Sequence, residues 1–377
     1  MKKLSLVTVF LIVLCISASS QLCPDSLYIT SQAQIDSFQI NYPGCTEIDG
    51  NVEIYGNDIT NLNGLNVLTA IGGHLYISDL PVLTNLMGLE NLVYIGGRFM
   101  FGGNEALTSF TGLDNLASIG GDLYVILNPA PTSFAGLENL ASIGGDLWIQ
   151  WNDALTSLTG LEGLGSIGGF LHIAENFVLT DLSSMGSLTS VGGYLYIGGN
   201  VALTSLIGLD NVTSIGGDLM VWYNLDLTSL TGLDNIVANS IDSLYIIENP
   251  SLSYCEVQSV CDYLIAPGGT IEIYDNAAGC NSQTEVGEAC DDVSVEEMFL
   301  EDYLSLYPNP AHEELNILID DGREPTEVSI YTLTGQQVIH ERPVDGTINI
   351  SHLQSGMYIV VVTVEGRKVR QKILVQR

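Results

Sequence analysis

Leu-Thr-Ser-Leu-Thr-Gly-Leu-Glu-Gly-Leu-Gly-Ser-Ile-Gly-Gly-Phe-Leu-His-Ile, residues 155–173, is one turn of a pattern that runs along the middle of the chain. Two turns later, residues 203–221 read Leu-Thr-Ser-Leu-Ile-Gly-Leu-Asp-Asn-Val-Thr-Ser-Ile-Gly-Gly-Asp-Leu-Met-Val. The Ile-Gly-Gly tripeptide recurs every 24 residues, at Ile71, Ile95, Ile119, Ile143, Ile167 and Ile215, with Val191 replacing Ile once. A fixed period of this length without drift specifies a solenoid, each repeat being one coil that contacts only its neighbours.

Within one coil the apolar spacing changes. Leu107, Phe110, Leu113, Leu116 and Ile119 stand three apart, whereas Leu123 and Val125 stand two apart. Two-residue spacing is strand periodicity, and three-residue spacing suits turns, 3₁₀-like segments and short extended pieces. All seven side chains are expected to meet on one axis. A lone coil cannot offset its ordering entropy, so stacking and inter-coil hydrogen bonds must hold it. The register extends outward through Ile48–Ile54, one residue short, and through Ser243–Ile246 and Thr270–Ile273 with small insertions, giving about ten coils.

Asparagine follows the second strand apolar by three residues at Asn57, Asn104, Asn128, Asn152, Asn176, Asn200, Asn224, Asn249 and Asn276, with Leu80 the exception. Stacking predicts a column of amides bonded to turn backbone and to one another. The paired glycines, such as Gly120-Gly121, are expected to turn a corner with positive φ before the strand.

Composition sets the compartment. Lys2 and Lys3 precede an apolar run from Leu4 to Ile16 and small residues to Ser20, the form of a secretory signal peptide over 1–20. Leu14 before Cys15 is too bulky for a lipid-anchor signal, and no later stretch has membrane-spanning length. Six cysteines remain, Cys23, Cys45, Cys255, Cys261, Cys280 and Cys290, none of them between 45 and 255. Disulfides at the two solenoid ends are expected, Cys23 with Cys45, the other four allowing three pairings. Without a CxxC, metal binding is the minor alternative.

Residues 21–290 carry 29 carboxylates against the single cation Arg98. Nucleic-acid binding, which needs cationic contacts to phosphate, is excluded for this part. The charge suits extracellular solubility or a cationic partner.

If Leu and Ile of each Leu-x-Ile point inward, the residue between them faces out. The outward column is Glu53, Tyr76, Met100, Tyr124, Trp148, His172, Tyr196, Met220, Tyr245 and Glu272. Five large aromatics and two Met on one face form a candidate ligand-binding stripe for sugar rings or a protein anchor, with Trp222 and Tyr223 extending it. The competing reading is that aromatics suit β-sheets and pack cross-strand. A neighbouring column contains His74, Arg98, Asp122, Asp146, Phe170, Tyr194 and Asp218; Asp122 and Asp146 are a weak Ca²⁺ candidate against the simpler reading of two solvated carboxylates. No cofactor is implied. There is no Gly-x-Ser-x-Gly elbow, and no carboxylate pair stands out for hydrolysis. One Arg cannot staff an elimination site on acidic polysaccharide. The chain reads as non-enzymatic.

The repeat resembles the receptor L-domain type of leucine-rich solenoid over roughly 45–290, with 21–44 as N-terminal cap. The resemblance implies a mostly β, right-handed parallel solenoid that binds ligands or partners. It departs from the ordinary leucine-rich repeat, whose back is longer and helical. Residues 291–303 are an acidic linker without repeat signal.

From residue 304 the pattern changes to short alternating strands with turns such as Thr334-Gly335, hence a small β-sandwich. Tyr307-Pro308-Asn309-Pro310, Ile330 to Val338, Leu353, Gly356, Tyr358 and a basic ending are similar to the type A C-terminal sorting domain of the type IX secretion system of Bacteroidetes. That likeness implies handling of 304–377 by the secretion machinery. It also implies passage through the periplasm to the outer-membrane surface or the extracellular space, without direct insertion into the membrane.

The sequence thus supports an exported binding or adhesion protein presenting an acidic, aromatic-striped face to a glycan or protein. The alternative is a structural surface-layer component without specific ligand.

Overall fold

The computed structural model describes residues 23–290, 304–319, 325–332, 337–342, 346–364 and 367–376. The signal peptide, the linker and the Thr334-Gly335 turn lie outside the described residues. The chain forms two compact units divided between Gln283 and Thr284.

The first unit is the solenoid. Each coil gives one strand to an all-parallel sheet of 11 strands, and the coils from Glu47–Ile48 to Ser190–Val191 give a two-residue strand to a second parallel sheet of 7. Leu123–Ile126 pairs with Phe99–Gly102 on one side and Leu147–Gln150 on the other, Leu against Leu and Tyr124 against Trp148. The seven inward side chains of the 107–125 coil are each at most 2 % exposed. One rung exceeds the ten read from the repeat. Leu27–Ile29 pairs with Val52–Ile54 and opens the sheet, and the helix Gln32–Asn41 follows it, which hides the register from sequence.

The paired glycines do not carry the positive φ expected of them; that belongs to the Gly of the Leu-x-Gly-Leu turn, such as Gly112 at +110° and Gly136 at +107°. Gly-Gly is required for a different reason. A Cβ on Gly144 would sit 2.3 Å from the Gly120 carbonyl oxygen, and one on Gly168 2.2 Å from that of Gly144. Adjacent coils touch backbone to backbone there, so only hydrogen fits.

The asparagine ladder runs from Asn104 to Asn276, every member buried. Asn176 is representative: its N–H donates to Asn200 Oδ1 at 3.1 Å, and its Nδ2 donates to the Ile149 and Ala174 carbonyls at 3.0 and 2.9 Å. Asn57 is exposed and outside the ladder. The residue missing from its coil falls between Ile54 and the buried Ile59, which moves Asn57 off the inward position. Much of the acidity is also structural. Asp114, Glu138, Glu162, Asp210 and Asp234 each accept the N–H of the turn glycine two residues earlier.

Disulfides close both ends: Cys23–Cys45 as expected, and Cys255–Cys280 among the three alternatives. Cys261 and Cys290 are disulfide-bonded as well.

The second unit packs two antiparallel sheets on one apolar core that includes Leu315, Ile317, Val328, Ile330, Val360 and Val375. One sheet contains Leu304–Tyr307, Glu314–Ile319 and Thr347–Asn349; the other Gln337–Glu341, Glu327–Thr332, Gly356–Val364 and Arg367–Val375. In the Tyr-Pro-Asn-Pro stretch, Asn309 donates to the Lys372 carbonyl at 3.3 Å and accepts the Leu374 N–H at 2.9 Å. It thereby satisfies the outer edge of the last strand, as a neighbouring strand would. Tyr307 is exposed, and both prolines, Pro308 and Pro310, follow cis peptide bonds. Gly356 opens its strand, and the Tyr358 hydroxyl, two residues on, donates to the Gln354 carbonyl at 3.0 Å.

Candidate functional site

The outer face of the 11-stranded sheet is built from residues that alternate with the buried Leu and Ile of each strand. Its middle column is in register from end to end: Tyr28, Glu53, Tyr76, Met100, Tyr124, Trp148, His172, Tyr196, Met220, Tyr245 and Glu272. Every predicted stripe residue is therefore brought together, Tyr28 being the one addition. From Glu53 to Tyr245 the column is half-buried rather than open, and from Tyr124 to Tyr196 its rings cover one another.

The contacts are continuous at the centre. Tyr124 meets Trp148 edge to face at 5.8 Å, Trp148 meets His172 at 4.3 Å, and His172 stacks on Tyr196 at 4.5 Å with planes 11° apart. Phe170 and Tyr194, on the adjacent column, stack at 4.4 Å. His172 is thus walled by aromatic rings, and both its ring nitrogens are buried without a hydrogen-bond partner. Burial drives its pKa down to about 4, so the ring is neutral near neutral pH. Burial also raises Tyr194 to about 12, with the Asp146 carboxylate adding to the shift.

The adjacent column does different work from that expected. Asp122 Oδ1 accepts the Asp146 N–H at 3.0 Å, and Asp146 Oδ1 accepts the Phe170 N–H at 3.0 Å. Asn51 and His74 do the same for the next coil, at 2.9 and 2.7 Å. These side chains form a second ladder, so Asp122 and Asp146 are bonded to main chain rather than simply solvated. Asp122 Oδ2 pairs with Arg98 at 2.9 Å, and the Arg98 guanidinium lies 4.5 Å from the centre of the Tyr124 ring. The hydrogen bond to Asp122 raises the Arg98 pKa further. Among the described residues no group of three or more His, Cys, Asp or Glu is placed to hold a metal.

A third column, of which the sequence pattern singled out only Tyr223, runs along the rim of the sheet. The residue just before each ladder asparagine, and Asp79 before Leu80, takes left-handed backbone: Asp79, Gly103, Leu127, Trp151, Glu175, Gly199, Tyr223, Glu248 and Asp275, with φ between 51° and 67°. Leu127, Trp151 and Tyr223 are 56 %, 43 % and 49 % exposed there. Neighbouring Trp222 is also exposed and donates through Nε1 to Glu248 Oε2 at 3.0 Å. The signal available in sequence was the alignment itself, in which Gly103 and Gly199 occupy the positions taken by Leu, Trp and Tyr in sister coils.

Comparison with known proteins gives two matches. Residues 44–116 match the family model of the receptor L domain, and residues 305–376 match that of the secretion system C-terminal sorting domain. No curated protein sequence is significantly similar to the chain. The coils beyond 116 continue the same sheet in the same register to Tyr274. No helix among the described residues is long and apolar enough to cross a membrane. The chain thus carries a parallel solenoid whose residues 44–116 match the receptor L domain and, after it, a type IX secretion sorting domain, which marks it for export to the cell surface or the extracellular space.

Proposed function

We propose that the solenoid is a non-enzymatic recognition or adhesion module, binding an extracellular glycan or protein through the outer face of its long sheet. The single observation carrying this reading is the unbroken register of outward side chains. It gathers Tyr124, Trp148, Phe170, His172, Tyr194 and Tyr196 into one contiguous aromatic field. Fields of this kind on exported proteins are typically interaction sites. Acidic groups beside the rings, Asp122, Asp146 and Glu175, supply acceptors for hydroxyl or cationic groups.

The second reading, a structural surface-layer component, is favoured by one specific feature: the ring faces at the centre are spent on one another. A combined glycan and protein array separates the two, using the full chain and its Tyr124→Ala, Trp148→Ala, Tyr196→Ala triple variant. Recognition requires that the parent bind and that the variant lose binding while keeping its circular dichroism. A parent that binds nothing, or a variant that binds equally well, sinks it.

A further inference from the structure

At the rim of the same sheet the chain accepts two costs at once. A bulky residue in left-handed backbone is strained, and an exposed large apolar side chain loses its burial free energy. Trp151 at φ 55° and Tyr223 at φ 55° carry both, although glycine serves the same position at Gly103 and Gly199. Neither ring meets another ring among the described residues, in contrast to the spent faces of the central column. Trp151, Glu175, Gly199 and Tyr223 follow one another on successive coils. The two rings therefore stand three coils apart, about 14 Å at about 4.8 Å per strand.

Between them stands one oriented acid. Ala174, Gly198 and Gly199 are buried, the Tyr196 ring lying over Gly198 and the Glu175 side chain over Gly199. Trp148 Nε1 donates to Gln150 Oε1 at 2.7 Å, and Gln150 Nε2 donates to Glu175 Oε2. Gln150 is buried, so this relay fixes the carboxylate from below. Glu175 Oε1 has no hydrogen-bond partner among the described residues.

We propose that Trp151, Glu175 and Tyr223 form a binding site for an uncharged oligosaccharide lying across the coils, its apolar faces on the two rings and its hydroxyls on Glu175. The span exceeds one pyranose ring, so the ligand is a chain rather than a single sugar. A single ammonium or guanidinium is too small to touch both rings. Glycans bearing carboxylate or sulfate are repelled by a solenoid with 29 carboxylates and one Arg over residues 21–290. A protein hot spot needs a contiguous dry apolar centre, whereas polar Glu175, lying over Gly199, separates these rings.

This site rests on the recognition reading above, and its test is arranged to fail separately. The full chain is screened against neutral gluco-, manno-, xylo- and galacto-oligosaccharides of increasing length, uronate oligosaccharides and oligolysine. Trp151→Gly, Tyr223→Gly, Glu175→Gln and the central triple variant are screened beside it. The parent is expected to bind one neutral series, more tightly as length grows. Each rim variant should lose about tenfold or more in affinity. Both glycine variants should melt no lower than the parent, since glycine relieves the strain. Neutral-glycan binding that survives both glycine variants overturns the rim site; if only the central triple variant abolishes it, the recognition reading stands. Binding of oligolysine or uronate alone overturns the rim site too. A parent that binds no probe overturns the rim site, and the recognition reading falls with it only if the glycan and protein array is blank as well.

Discussion

Removing one rung of the buried amide column gives the sharpest energetic consequence. In Asn176→Ala the Ile149 and Ala174 carbonyls lose the Nδ2 donor, and the Asn152 N–H loses its acceptor, Asn176 Oδ1 at 3.2 Å. A buried polar group left without a partner costs about 1–3 kcal/mol. Three such groups together give about 3–9 kcal/mol. For a body of this size each kcal/mol moves the melting temperature by about 2–4 °C, so the loss is on the order of 10 °C. Asn57→Ala is the internal control. The residue occupies the same place in the sequence pattern but is exposed and outside the ladder, and its loss should stay within about 0.5 kcal/mol. Thermal melts of the full chain followed by circular dichroism at a β-sheet wavelength read both variants. Equal shifts for the two, or a shift below about 2 °C for Asn176→Ala, refute the idea that the amide column joins the coils.

Three further outcomes follow from the same geometry. Gly144→Ala places a Cβ 2.3 Å from the Gly120 carbonyl oxygen and should cost about 2–4 kcal/mol by chemical denaturation, more than Gly165→Ala, where the nearest atom would be 3.7 Å away. His172, whose pKa burial lowers to about 4, binds its proton more readily unfolded. Its contribution is therefore complete above about pH 6.5, falls as pH drops toward 4 and is flat below. The partly exposed ring limits the loss to about 1–2 kcal/mol, and His172→Phe should flatten that window in pH-dependent melts. Opening the Cys255–Cys280 bridge by paired Ser substitution should cost about 2–4 kcal/mol, expressed first as protease cleavage near the C-terminal coil.

The fold was legible because a period fixes register. Once Ile-Gly-Gly repeats every 24 residues, Tyr124 must lie beside Trp148, and the strand pairing places it there. Registers broken by a single residue were not legible: Asn57 carries the right name at the right offset, but the deletion lies just beyond it. Leu27–Ile29 was hidden for a related reason, since a helix rather than a repeat separates it from its neighbour. At the site, the pattern gave which side chains face out but not what they face. Whether rings turn to solvent or to one another depends on rotamers that periodicity does not encode. Of the left-handed rim only Tyr223 was picked out, because propensity argues against Trp151 and Leu127 there, and a position where local preference is overruled is where function is to be sought.

Hydroxyl-radical footprinting of the full exported chain, with and without the best-binding probe from the array, reads the recognition face directly. Protection should fall on the outward residues of the long sheet and its rim, from Tyr124 to Tyr223, and leave exposed Tyr94, on a strand of the second sheet, unchanged. Protection confined to Tyr94 and the two-residue strands, or to residues 304–376, would contradict it.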